Sequence, residues 1–95
     1  MATKKAIGLT VGDAVLIRTV TYHYTGRIVA MDGVFIVLRD AAWIADTGRL
    51  SVAFATGFDH DAEIEPYPAS THVHVAVGAI VEVTAWPHSL PDTVQ

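Results

Sequence analysis

The sequence predicts a small all-β fold with a minor helical part: a strongly bent barrel of five to six short antiparallel strands, with one short helix inserted after the third. Three observations predict it. Short apolar segments rich in β-branched residues recur along the chain, and each is closed by a Gly, Pro or Asp turn signal. Two of them flank Asp32-Gly33, a strong local hairpin signal, because Gly accepts positive φ without steric cost. All of this falls within 95 residues, enough for one domain and one core. Residues 1–95 are therefore read as a single barrel domain, with an ordered core of about 9–86 and a C-terminal tail, 87–95.

Taken in order, residues 1–10 are a polar lead-in with room for one helical turn around Lys4 to Gly8, and Val11-Gly12-Asp13 is a turn. Ala14 to Val20, AVLIRTV, is a β-branched strand, after which Tyr22 and Tyr24 alternate onto one face. Thr25 to Met31 is the second strand and Val34 to Arg39 the third. The third lacks alternation, so burial on both faces is expected for it. Ala41 to Phe58 departs from the strand pattern. Asp46 could cap a helix with Thr47-Gly48-Arg49 in its first turn; Leu50, Ala53 and Phe54 have helical spacing, and Gly57 sits at the stop. A strand over Leu50 to Ala55 competes, since Val52 and Phe54 are good strand formers; the helix is preferred. Ala62 to Tyr67 is a short strand ended by Pro66 and Pro68. In His72 to Val77, HVHVAV, residues Val73, Val75 and Val77 point inward and His72 and His74 outward. Gly78 bends the chain into a last strand, Ala79 to Ala85. The tail from Pro87 is polar.

Composition restricts the function. Fifty-two per cent of the residues are hydrophobic and the mean hydropathy is +0.40, high for so small a soluble monomer. Large apolar surface left at the exterior marks interfaces, so a homo-oligomer is expected. The net charge is -4 and Lys4-Lys5 is the one basic pair, which argues against strong nonspecific binding to nucleic acid. There are no cysteines, hence no disulfide, thiolate metal site or Cys nucleophile. The N-terminus lacks the apolar core of a signal peptide, and no run approaches the ~18 apolar residues of a membrane span. A cytoplasmic protein with no membrane association is the expectation.

The small SH3-like barrels are the natural size match, and the hairpin makes the likeness more specific. Tyr24-x-Gly26-x-Ile28-x-x-x-Asp32 resembles the first signature of the Sm-like (LSm) superfamily, and Val37-Leu38-x-Asp40 is similar to the end of that family's third strand. Val77-Gly78-x-Ile80-Val81-x-Val83 resembles the second signature, with a Gly at the turn before the closing strand. The resemblance covers about half the chain and implies an Sm-like barrel that assembles into a ring. It does not carry over the family's RNA pocket. The strand-three Asn of that pocket is replaced by Phe35 or Ile36, and the cation before the second Gly by Val77. The run from Asp40 to Arg49, DAAWIADTGR, is also similar to a motif of small uncharacterised bacterial and phage-associated proteins, a likeness that names no activity.

Candidate residues follow. Gly26, Asp32, Gly33 and Gly78 are fold and turn positions. Tyr22, Tyr24, Trp43, Phe54 and Trp86 are interface candidates, because large aromatic residues dominate interface energetics. Arg39, Asp40, Asp46 and Arg49 are candidates for ion pairing. His72 and His74, two apart on one strand face, could share a metal, but no third ligand stands at a diagnostic spacing. Asp59, Asp61, Glu63 and Glu65 alternate as a solvated acidic edge and lack the offsets of a Ca²⁺ loop. No Ser-His-Asp set or nucleophile elbow is readable, so the expectation is a non-enzyme with no cofactor. The leading function is a structural or scaffold subunit whose partner is itself, within a ring or a larger symmetric protein assembly. The first alternative is an Sm-like protein reading RNA with another face, through Lys4, Lys5, Arg18 and Arg27. The second is a small-ligand or metal module through His72 and His74.

Overall fold

The computed structural model describes residues 9–95, and Lys4, Lys5 and the helical turn expected around them lie outside the described residues. Six strands run β1 (Ala14–Thr19), β2 (His23–Met31), β3 (Phe35–Asp46), β4 (Glu63–Pro66), β5 (Val73–Ala76) and β6 (Ile80–Ala85). One helix, α1 (Leu50–Thr56), follows β3, and a single 3₁₀ turn, Val77–Ala79, joins β5 to β6. Every pairing is antiparallel, in the order β4-β3-β2-β1-β6, with β5 on the first half of β3. The fold class and the helix after strand three are as the sequence predicts. Full closure is not: β5 and β6 do not pair, and the sheet is bent but open.

The bend originates in β3. Between the pairs Thr25↔Ala42 and Arg27↔Arg39, β2 advances two residues and β3 three, so β3 carries a bulge. Asp40 sits in it at φ 50, the one positive φ among the described non-glycine residues, in a conformation Asp tolerates better than most. Opposite the bulge, Gly26 is buried, and a Cβ there would lie 2.9 Å from Leu38 Cβ and 3.3 Å from the Arg39 carbonyl oxygen. Gly26 is what lets the strands approach so closely.

The bulge divides β3 between two environments, which corrects its expected burial. In the first half Ile36 and Leu38 are buried while Phe35 is exposed, because nothing covers the outer face there. The stretch covered on both faces lies beyond the bulge, at Ala41, Ala42 and Ile44. One core, on the concave face, gathers Val15, Ile17, Ile28, Ile36, Leu38, Ala41 and Val75. A second, on the outer face under α1, gathers Leu16, Ala42, Ile44, Ala53, Ala62, Ile64 and Trp86.

Three further expectations are corrected. Asp46 ends β3 and does not cap the helix: its Oδ1 accepts the Gly48 N–H at 2.8 Å, and Arg49 holds the cap position with no side-chain bond. Leu50 therefore stays outside while Ala53 and Phe54 turn inward; Gly57, at φ 93, stops the helix as expected. Val77 leaves the inward row and is exposed in the 3₁₀ turn, where Gly78 adopts no positive φ. Finally, residues 87–95 fold back as a strap. Trp86 Nε1 donates to the Ser89 carbonyl at 3.2 Å, Leu90 packs on the second core, and Gln95 exchanges two 2.8 Å backbone hydrogen bonds with Ile64 of β4.

The Asp32 turn is built as expected. Gly33 takes φ 86, and Asp32 Oδ1 accepts the Val34 and Phe35 N–H groups at 2.9 and 2.8 Å, holding its carboxyl below the ordinary carboxylate range. One core group is unmatched: Thr25, fully buried between β1 and β3, has a hydroxyl with no hydrogen-bond partner. Replacing it with valine removes an orphaned polar atom at little change in shape. Thr25→Val is expected to raise stability by about 1 kcal/mol, roughly 4–8 °C in Tm, as thermal unfolding will read.

Candidate functional site

The sheet has three outer edges, and the chain treats them differently. The edge of β4 is defended: Pro66 ends the strand, Pro68 follows, and Gln95 occupies Ile64. Proline lacks the N–H a further strand would need, and an occupied edge cannot template one. The edges of β5 and β6 carry no such device. Each is paired on one side alone, β5 with β3 and β6 with β1, and their ten residues include neither Pro nor Lys, with Glu82 the one acidic residue.

Exposed apolar side chains collect around these two edges. Val81 lies on β6, 55% exposed, and Val20, 78% exposed just past the end of β1, has its N–H bonded to the Ala79 carbonyl before β6. At the β5 end, Val77 is tied by its N–H to the Val34 carbonyl, and Val34, Phe35 and Met31 at the hairpin tip are all exposed. Phe35 meets the His74 ring edge-on at 5.6 Å. The sequence reading did not single out Val20, Val34 or Val81; β-branched residues look alike in a covered and an uncovered strand until the pairing order is known.

The five aromatic interface candidates separate. Trp86 is corrected outright: it is buried in the second core, stacked on Phe58 at 4.6 Å and edge-on to Phe54 at 5.4 Å and His88 at 5.1 Å. Phe54 is thereby half-buried in the same cluster. Tyr22, Tyr24 and Trp43 lie on the concave side, with Tyr22 and Trp43 ring centroids 4.8 Å apart and Tyr24 opposite Trp43 in register. Trp43 also lines a cleft of about 480 Å³ with Glu65, Pro66, Tyr67 and Pro68. Sequence reasoning missed Tyr67; its place between two prolines was the available signal.

Charged candidates are mostly engaged locally. Arg39 Nη1 and Asp40 Oδ2 pair at 2.7 Å, each about half exposed, while Asp46 serves the Gly48 turn and Arg49 makes no ion pair among the described residues. Arg18 bonds Glu82 at 2.8 Å and Arg27 donates to the Gly12 carbonyl at 2.8 Å, at opposite ends of the β1–β2 pair, so they form no basic patch. His72 and His74 are exposed, and no three His, Asp or Glu side chains converge on one point among the described residues. His88 Nε2 lies 2.8 Å from the Phe54 carbonyl and pins the strap to α1.

Beside the Arg18–Glu82 pair, His23 is half-buried and its Nδ1 has no partner. Burial, and then the Arg18 charge, push its pKa below the ordinary 6.5, against smaller opposing effects of Glu82 and Asp46. The folded state then binds fewer protons than the unfolded chain as pH falls below about 6.5. Stability from this residue is complete above that value and declines as pH drops through the lowered folded pKa. Glu82 and Asp32, both lowered by hydrogen bonds, act in the same direction but only below about 4.5. A fall in Tm between pH 7 and 5 is expected, and His23→Gln flattens it in that window.

No helix among the described residues is long and apolar enough to cross a membrane. Comparison with protein-family models, curated proteins and solved structures finds no match to this chain.

Proposed function

We propose that this chain is a non-catalytic structural subunit that assembles with copies of itself, the free edge of β5 on one copy pairing with the free edge of β6 on the next. The observation that carries the reading is the contrast between edges: β4 is blocked by two prolines and the strap, whereas β5 and β6 are left open and rimmed with exposed valines. Natural sheets blunt an edge they do not use, and an unblunted one recruits another strand. The two edges differ in sequence, so the contact is heterologous, and head-to-tail contacts of that kind close into rings when the rotation permits. The Sm-like pattern at Tyr24–Asp32 and Val77–Val83 supports the same reading, since strand pairing between subunits is how such rings are joined.

Native mass spectrometry together with light scattering tests it on the full chain. A defined multimer with one dominant copy number is expected. A monodisperse monomer at micromolar concentration would remove the proposal.

A further inference from the structure

The C-terminal strap and the sheet enclose a cleft of about 430 Å³, none of whose lining residues lies on the open β5 or β6. One wall is sheet: Arg27 of β2, Asp40 and Ala41 of β3, and Tyr67 just past β4, its N–H bonded to the Ala41 carbonyl at 2.9 Å. The other wall is strap, with Leu90 and Asp92. A volume of this size, with apolar walls and a few polar groups, is that of a small-molecule site.

The charges of the lining select the occupant. Arg27 Nη1 donates to the Gly12 carbonyl at 2.8 Å, which fixes the guanidinium, and the other donors of its fork enter no ion pair among the described residues. Arg39, the register partner of Arg27 on β3, is matched by Asp40 at 2.7 Å, so those two residues add no net charge. Asp92 is exposed on the strap and has no ion pair among the described residues. The cleft thus holds one unmatched cation on the sheet wall and one unmatched carboxylate on the strap wall. A ligand of a single charge would satisfy one and be repelled by the other. A neutral apolar ligand would strip water from both and pair neither. We infer that this cleft binds a small zwitterion, an α-amino acid with an aliphatic side chain. Arg27 takes its carboxylate, Asp92 its ammonium, and Ala41, Leu90 and the Tyr67 ring its side chain. Charge-assisted hydrogen bonds of this kind are the strong ones. A ligand held by both walls also ties the strap to the sheet.

The test is calorimetric titration of the full chain at pH 7 with three probes: L-leucine, N-acetyl-L-leucine, which lacks the ammonium, and L-leucinamide, which lacks the carboxylate. Saturable binding of leucine with a Kd on the order of 0.1 mM is expected, and each blocked form binds about 10-fold or more weakly. Asp92→Asn, at an exposed position, preserves the fold. It weakens leucine about 10-fold and leaves N-acetyl-leucine unchanged, because only leucine brings a group for that carboxylate to meet. Saturating leucine also slows hydrogen exchange at the Ile64 and Gln95 amides, which join the strap to β4. Absence of leucine binding up to about 10 mM overturns the proposal, as does equal affinity for leucine and either blocked form. An Asp92→Asn variant that binds leucine as the parent does, or that loses N-acetyl-leucine as much as leucine, overturns it as well.

Discussion

Leu38→Ala is expected to lower the free energy of unfolding by about 2–5 kcal/mol, the range for removing a fully buried leucine and leaving a cavity. Leu38 has no exposure, lies in the concave core and is flanked by β2 on one side and β5 on the other. Domains of this length hold roughly 5–14 kcal/mol in total, so the variant retains as little as a few kcal/mol and unfolds at much lower urea. The same contact makes Gly26→Ala costly. Its new methyl meets Leu38 Cβ at 2.9 Å, which is backbone-anchored and cannot rotate away, so an overpacking loss of about 1–3 kcal/mol is expected. Because that first clash is with Cβ, shortening Leu38 to alanine does not relieve it, and the double variant is worse than either single. Urea midpoints followed by circular dichroism check all three; a Leu38→Ala shift below about 1 kcal/mol would contradict the packing described for β3.

How much of this was legible follows from the reach of each signal. Asp32-Gly33 needs neighbours within three residues, and the hairpin appears with the turn bonds its chemistry implies. Alternation in β5 likewise placed Val75 inside and His72 and His74 outside. The bulge at Asp40 was invisible because it depends on a cross-strand approach at Gly26. Without it the strand was ended at Arg39, and Ala41–Asp46, half of the real β3, was taken for the lead into a helix. The strap failed for another reason. Its composition is polar and proline-bearing, and it holds through single contacts, Leu90, His88 and Gln95, each meaningful only beside a partner thirty or so residues away.

The candidate sites divide along the same line. Aromatic residues near strand ends were singled out by type, and type alone cannot say which side of the sheet is already covered. Trp86 and Phe54 fell under the strap and helix; Trp43 and Tyr22 fell on the concave side, outside both cores. The open edges were unreadable without strand order, since a valine in β6 differs in no local respect from one in β1.

On the proposed pairing of β5 with β6 between copies, placing a lysine on either open edge is expected to dissolve the assembly. Val81 on β6 and Ala76 on β5 are both exposed within the isolated subunit, so Val81→Lys and Ala76→Lys change its own stability by no more than about 0.5 kcal/mol. In a paired edge each sets an ammonium against an apolar strand, at roughly 1–3 kcal/mol per interface, or roughly 5- to 150-fold in Kd. A closed ring repeats that loss at every contact, so each variant alone is expected to run as a monomer. The mixture is the sharper experiment. The Val81→Lys chain keeps a clean β5 edge and the Ala76→Lys chain a clean β6 edge, so one good contact remains between them and none beyond it. An equimolar mixture should therefore form a heterodimer and stop there, as native mass spectrometry will count. If β6 instead paired with its own copy across a two-fold axis, Ala76→Lys would stay assembled and mixing would produce nothing new. A heterodimer that appears only on mixing requires two different edges joined head to tail.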